Sequence, residues 1–351
     1  MSEQLRVGVF LGGSSSEREV SLEGGRYVYQ RMDRAKFVPL AIFVDSDHRC
    51  WQIGEPLLLQ NTTTDVEQLL TTGAKRIYYE ELPTLIDFAF VVGHGKYLED
   101  GCFQGLLEVL GVPYNGPGVL GAALGADKWV SRRILEGAGL TTPQTKLIIE
   151  EEWLEDETGV LDALEQFPGF PLVVKPSREG CSTAITLAKT RDQARDGIAA
   201  ALVWDRLVLA ENALQGIEVT VSVVGNEMKE VLPVSETPRH QGKDYLTLED
   251  KFLPGGAEMI TPARLSPEVT AKVQAAAELA AKELRLVGYP RFDMFVVRET
   301  PVILEANTLP GITPSTMIFH QAAETGVNPT AYITRIIELG LAAHAAKRGP
   351  L

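Results

Sequence analysis

The chain has 351 residues, 45% of them hydrophobic and 23% charged, which is material for two or three ordinary domains with more than one core. A formal net charge of -14 argues against a nucleic-acid backbone as partner, while leaving room for a local basic pocket that takes a phosphate. Cys50, Cys102 and Cys181 are scattered and form no CxxC pair, no apolar run approaches membrane-spanning length, and the N-terminus lacks a basic region, so disulfides, a zinc site, a membrane span and a signal peptide are not expected and a reducing cytoplasm is.

Residues 7–11 read as a buried strand running into Gly12-Gly13. Ser14 to Glu17 has the S-x-x-E spacing of a capping box, so a helix is predicted from there to about Tyr29. Further strands are predicted at 38–44 and 88–92, the second ending in Gly93-His94-Gly95. Strands alternating with helices predict a parallel α/β domain over 1–127, with ligands at the carboxyl ends of its strands. Gly12-Gly13 lacks the GxGxxG spacing and is read as a plain strand-to-helix turn.

The pattern changes near Lys128, where a helix is predicted that stops at Gly137 or Gly139. A strand over 171–175 ends on Lys175, and a loop from Pro176 through Gly180, Cys181 and Ser182 leads to a returning strand at 183–187. Such a loop can lay its amides over a polyphosphate, with Lys175 at the strand end; without Gly-Lys-Ser/Thr or a following helix it is not a Walker A loop. Glu211 closes an apolar strand at 207–211, and Glu218 falls on the polar face of a strand at 217–223. Each is a candidate for adenine and ribose, or a salt-bridge partner. Residues 236–256 are polar with scattered Gly and Pro and predict a mobile lid-like loop carrying a further cation, Lys251. Ser266-Pro267-Glu268 opens a helix whose apolar face is Val269, Val273, Ala276 and Leu284 and which Gly288 ends.

The densest chemistry lies over 291–311. Phe292, Met294 and Val296 alternate with Arg291, Asp293 and Phe295; Ile303, Glu305 and Asn307 alternate with Val302, Leu304 and Ala306. The polar turn Arg298-Glu299-Thr300-Pro301 between them predicts an antiparallel hairpin. With the apex near Glu299, Asp293 and Glu305 each lie six residues from it and face each other. Arg291, Asp293, Glu305 and Asn307 then share one face. Directly opposed carboxylates are unfavourable. A divalent cation shared with phosphate would compensate, magnesium by ligand type, and so would Arg291 paired with either acid. The turn Asn307-Thr308-Leu309-Pro310-Gly311 follows at once and favours the metal.

Taken in order, these pieces resemble the ATP-grasp ligases, and more closely the D-alanine–D-alanine ligase family, over nearly the whole chain. The matching stretches are Phe10-Leu11-Gly12-Gly13 through Ser16-Glu17-Arg18-Glu19-Val20-Ser21; His94-Gly95 with Glu99-Asp100-Gly101; Gln104-Gly105; Pro113-Tyr114-Asn115-Gly116; Asp127-Lys128; Val174-Lys175-Pro176-Ser177-Arg178-Glu179-Gly180; and Arg291-Phe292-Asp293 with Glu305 through Gly311. The resemblance implies an N-terminal parallel-sheet (pre-ATP-grasp) domain over 1–127, followed by the two-part ATP-grasp fold over 128–215 and 216–351. It implies ATP bound between the last two parts, with Lys128, Lys175, Glu211, Asn212, Leu214, Glu218 and the loop residue Lys251 at the nucleotide. Asp293, Glu305 and Asn307 match ligands of two magnesium ions, with manganese as a substitute. Glu17 matches the carboxylate that holds the first substrate's ammonium, and His94 a residue nearby. Arg291 and the Gly311 amide match oxyanion stabilisers, Cys181 and Ser182 the catalytic loop, and Thr316 and Met317 the receivers of the second substrate's carboxylate. D-alanine is the implied substrate and a homodimer the implied assembly.

Three positions depart from the family pattern: Cys181 stands for Ser, Ala184 for Gly, and Phe252 for the lid Tyr. Phe252 cannot donate a hydrogen bond and Cys181 donates weakly. An ordinary D-alanine ligase, a ligase making the D-alanine–D-lactate ester or using another small D-amino acid, and a nucleotide-binding regulator without turnover are the readings these positions leave.

Overall fold

The computed structural model describes residues 4–180, 183–238 and 259–347. The first sheet is built on β1 (Leu5–Gly12), which is buried from Val7 onward because parallel neighbours flank it on both sides. Those neighbours are β2 (Phe37–Val44) and, across the topological switch, β5 (Phe88–Val91). Two short strands, β3 (Cys50–Ile53) and β4 (Ala74–Ile77), extend the far side of β2 as antiparallel additions. The sheet is therefore mixed, where a parallel one was predicted. Strands as short as CWQI and AKRI carry no readable period.

The helix Arg18–Arg31 follows β1, but the predicted capping box does not form: Glu17 is the N-cap residue and makes no side-chain cap bond. Gly12 and Gly13 adopt φ of 97° and 95°, and that left-handed turn carries Ser15 toward the loop after β5. There the Ser15 hydroxyl donates to the His94 carbonyl at 2.7 Å.

The second sheet is antiparallel, in the order β6 (Thr145–Ile149), β9 (Leu207–Asn212), β7 (Leu172–Pro176), β8 (Thr186–Ala188). Its inner face packs Val174, Val208 and Ala210 against Trp153, Leu161 and Ile198 of the covering helices. The third sheet runs β11 (Glu230–Val231), β10 (Ile217–Val224), β13 (Arg291–Val297), β14 (Thr300–Asn307), with β12 (Ser235–Glu236) also paired to β10. The helix Pro267–Glu283 covers it, burying Val269, Val273, Ala276, Ala277, Ala280 and Ala281 against Val219, Val221, Phe292 and Met294. Ser266 caps this helix by accepting from Val269 N–H, an interaction typically worth ~1 kcal/mol.

The last helix, Pro329–Ala345, returns to the first sheet: Tyr332, Ile333, Ile336 and Ile337 complete the core around Phe10 and Phe88. Gly340 permits that approach, since a Cβ there would stand 2.4 Å from the Tyr114 carbonyl and 2.7 Å from the Phe88 ring. Among the described residues, no helix is long and apolar enough to cross a membrane.

Candidate active site

The hairpin of β13 and β14 places Asp293 opposite Glu305 and Arg291 opposite Asn307. Its turn is tighter than expected. Val297 pairs with Thr300, and Arg298 and Glu299 take positive φ of 48° and 66°, as a two-residue primed turn requires. Near the turn the partners are Met294 with Ile303 and Phe295 with Val302, and the register shifts between Asp293 and Met294. Leu304 is the extra residue of a β-bulge. Ile303 consequently sits in the core beside Met294, and not on Glu305's face as simple alternation predicts. Leu304 and Glu305, though consecutive, both line the same cavity.

Around Asp293 the polar contacts are dense. Arg291 Nε and Nη2 donate to its two oxygens at 3.0 and 2.9 Å, Thr220 Oγ1 donates at 2.8 Å and Asn307 Nδ2 at 3.1 Å. The Arg pairing that competed with the metal reading is thus present. Glu305 has a cation of its own, with Lys128 Nζ 3.2 Å from Oε2. No group of three or more His, Cys, Asp and Glu side chains poised to hold a metal occurs among the described residues. What the hairpin offers is two carboxylates and an amide oxygen, Asn307 Oδ1, whose Nδ2 partner is already committed to Asp293. That hard-oxygen set is too small to complete a shell alone, and it fits a magnesium ion shared with phosphates and water.

Beside the hairpin lies a buried charge network. Glu211 holds Lys175 Nζ at 2.9 Å and Arg132 Nη1 at 2.5 Å, and all three residues are nearly inaccessible to solvent. Burial pushes the Lys175 pKa below the ordinary lysine value against the pull of Glu211. Burial alone would raise Glu211, but Arg132 and Lys175 together hold it below the usual carboxylate range. Removing one member of such a buried group typically costs about 3–5 kcal/mol, because the other charges are left uncompensated. Glu211 therefore positions Lys175. Asn212 Oδ1 accepts from Gln144 N–H, and neither Asn212 nor Leu214 lines the cavity.

The opposite wall comes from the first sheet. His94 is buried, and its Nε2 has no hydrogen-bond partner. A Cβ built on Gly311 would come 3.9 Å from that nitrogen. Glu99 ties this wall to the hairpin exit: it accepts from Gly95 N–H at 3.1 Å, from Thr308 N–H at 3.1 Å and from Leu309 N–H at 2.9 Å. Glu17 lies against the loop that follows Lys175, where a Cβ on Gly180 would stand 2.7 Å from its Oε2. Lys96 Nζ meets Glu179 Oε1 at 2.5 Å, and Lys128 Nζ donates to the Glu179 carbonyl at 2.6 Å.

A cavity of about 660 Å³ gathers these walls, lined among others by Glu17, His94, Lys128, Lys175, Gly180, Glu218, Arg291, Asp293, Glu305, Asn307 and Gly311. A smaller recess of about 70 Å³ adjoins it, where Thr316 and Met317 meet Arg291, Asp293 and Glu218. The Thr316 hydroxyl accepts from Thr313 N–H at 2.8 Å. Cys181, Ser182, Lys251, Phe252 and most of the stretch predicted to be a mobile loop lie outside the described residues. Sequence reasoning did not single out Arg132, Thr220 or Glu99 as site-building residues. Only Glu99 left a trace, as part of the Glu99-Asp100-Gly101 stretch.

A D-ala D-ala ligase N-terminus model matches residues 6–117, and a D-ala D-ala ligase C-terminus model matches residues 134–338. The chain belongs to the D-alanine–D-alanine ligase family. A D-alanine–D-alanine ligase of Syntrophobacter fumaroxidans is 35% identical over 340 residues, covering 97% of this chain and 99% of that one. One from Geobacillus thermodenitrificans is 34% identical over 359 residues, covering 98% and 97%. Among solved structures, the VanG D-Ala:D-Ser ligase of Enterococcus faecalis superposes with a TM-score of 0.83 at 25% identity, covering 96% of this chain and 100% of that one. The ATP complex of the Bacillus anthracis D-alanine–D-alanine ligase gives 0.73 at 29% identity, covering 97% and 99%.

Within this family frame, Ala184 departs from the usual Gly, and its φ of 51° is left-handed. An L-residue there carries roughly 1–2 kcal/mol of backbone strain, partly offset by the entropy that Gly loses on folding. Ala184→Gly is expected to raise stability by up to about 1 kcal/mol, read as a higher urea midpoint. A lowered midpoint would show that position 184 is not left-handed.

Proposed function

We propose that the chain is an ATP-dependent ligase that joins two D-alanines through an acyl phosphate, in the cytoplasm, as a supplier of cell-wall precursor. The observation that carries this is the single cavity in which Asp293, Glu305 and Asn307 stand with Lys128 and Lys175 on one side and Glu17 and His94 on the other. A phosphate-handling wall facing an amino-acid-handling wall is what phosphorylation of a carboxylate by ATP requires.

Lys128 and Lys175 would draw the nucleotide's phosphates to the hairpin, with Glu211 fixing the Lys175 ammonium. Asp293, Glu305 and Asn307 would hold magnesium, two ions by analogy with the family. The metal, when bound, neutralises charge on the phosphates and helps align the γ-phosphoryl group. Glu17 would hold the first D-alanine by its ammonium, leaving its carboxylate oxygen to attack the γ-phosphorus as ADP leaves. The second D-alanine would enter by the recess at Thr316 and Met317. Its amine attacks the acyl carbon, phosphate departs with the former carboxylate oxygen, and the amine proton is lost to solvent. Arg291 borders both spaces, and Asp293 grips its guanidinium. Arg291 and the Gly311 amide would stabilise the tetrahedral oxyanion. A division near 127 and 215 and a homodimeric assembly complete the reading.

The test is product analysis by mass spectrometry with ATP, magnesium, D-alanine and D-lactate together. D-alanyl-D-alanine with stoichiometric ADP is expected. Ester alone would move the chain to the depsipeptide ligases, and no phosphate release with D-alanine would make it a nucleotide-binding regulator. Binding is checked separately. ATP with magnesium at one hundred times Kd should stabilise the fold by about 2.7 kcal/mol, read as a rise in Tm. NADH should give no shift.

A further inference from the structure

Arg132 is 1% exposed and lies at the crossing of the second and third sheets. Its guanidinium makes two hydrogen bonds, Nη1 to Thr145 Oγ1 at 2.8 Å and Nη2 to the Leu304 carbonyl at 3.1 Å, and Nη1 also forms an ion pair with Glu211 Oε2 at 2.5 Å. Leu304 is the bulge residue, and a bulge leaves its extra residue outside the ladder, so its part-buried carbonyl takes a donor from elsewhere. Arg132 supplies it. Lys128 stands one turn earlier on the same helix, Lys128–Gly137, and meets the Glu305 side chain at 3.2 Å. One helix face therefore grips both consecutive residues of the bulge, the first through its backbone and the second through its carboxylate. Through Glu211 the same guanidinium also sets where the Lys175 ammonium points.

We infer that Arg132 is a positioning residue of the reaction, which simultaneously holds the bulge that turns Glu305 into the cavity and the Glu211 carboxylate that aims Lys175. It touches neither nucleotide nor metal. It makes their two binding elements one rigid unit, so that displacing one disturbs the other. Only a planar fork can reach three acceptors set in different directions; an ammonium at this place can satisfy Glu211 and must release Leu304 or Thr145. This inference rests on the reading above that the cavity takes an adenine nucleotide with a divalent cation.

The test uses Arg132→Lys and Arg132→Gln in the full chain and reads binding, not turnover. ADP affinity is measured by calorimetry in EDTA, which reports on the Lys175 side. Mn2+ affinity of the ADP complex is measured by the loss of the free-ion paramagnetic resonance signal, which reports on the bulge side. Both variants are expected to lose on the order of 10–100-fold in Mn2+ affinity, the range for outer partners of metal ligands. Arg132→Lys should keep ADP affinity nearer wild type than Arg132→Gln, because it retains a cation for Glu211. Folded variants with wild-type affinities for both probes overturn the inference. So does failure of both variants to fold, which would make Arg132 a structural pin. A wild-type chain that binds neither probe sinks the functional reading first and this inference with it, whereas wild-type binding with unchanged variants sinks this inference alone.

Discussion

Glu305→Ala is expected to lower kcat on the order of 10²–10³-fold while leaving the protein at least as stable as the parent. The size is that of removing one preorganised electrostatic contact to the transition state. The stability side follows from the hairpin. Asp293 and Glu305 are directly opposed partners, so deleting one carboxylate relieves a like-charge pair. Lys128 loses its carboxylate partner at 3.2 Å, which offsets part of that relief, and keeps a hydrogen-bond acceptor in the Glu179 carbonyl at 2.6 Å. Initial rates over a magnesium titration, beside a thermal melt, check both halves. If the variant runs at wild-type rates when magnesium is limiting, Glu305 is not a metal ligand. If it is inactive because it has unfolded, the register argument fails instead.

How the opposition of these two acids was legible is instructive, because two unseen features cancelled. A symmetric turn on Glu299 pairs 293 with 305. The real turn is centred between Arg298 and Glu299, which by itself would slip every pair by one residue. The bulge at Leu304 adds one residue back, and Asp293 meets Glu305 after all. Nothing in the sequence marks the bulge. Val302, Ile303 and Leu304 are all apolar, so no polar residue reveals where the alternation breaks, and Ile303 was placed on the wrong face. A tight primed turn built on Arg and Glu, without glycine or asparagine, also lacks its usual sign.

The same limits explain the remaining residues. Strand-end positions such as Lys175 could be read because a charged group closing an apolar run has few reasons to be there. Glu99 could not be read as a clamp, since its partners Thr308 and Leu309 are brought to it only by the assembled sheets. Arg132 looks like any cation on an amphipathic helix until the second and third sheets close over it. Local pattern identifies elements and their termini, while contacts between elements distant in sequence need a topology. The matched family stretches bridged part of that gap by supplying an order for the pieces.

Glu17→Gln is expected to weaken use of D-alanine by roughly tenfold to a hundredfold, corresponding to a lost charged hydrogen bond of about 1.5–3 kcal/mol. Had Glu17 served as the predicted helix cap, the substitution would threaten a contribution of ~1 kcal/mol to folding. The structure disfavours that alternative: the Glu17 side chain makes no cap bond to the helix, and Ser15 Oγ accepts from the Glu17 N–H at 3.3 Å while donating to the His94 carbonyl. The carboxylate lines the cavity wall beside Gly180. An amide of the same shape keeps the packing and loses the charge that attracts an ammonium. The loss should therefore appear in the dependence of rate on D-alanine at saturating ATP, with nucleotide affinity and Tm close to the parent. A variant with parental D-alanine kinetics would remove Glu17 from the substrate site, and one whose ATP affinity falls in step would place the carboxylate at the nucleotide.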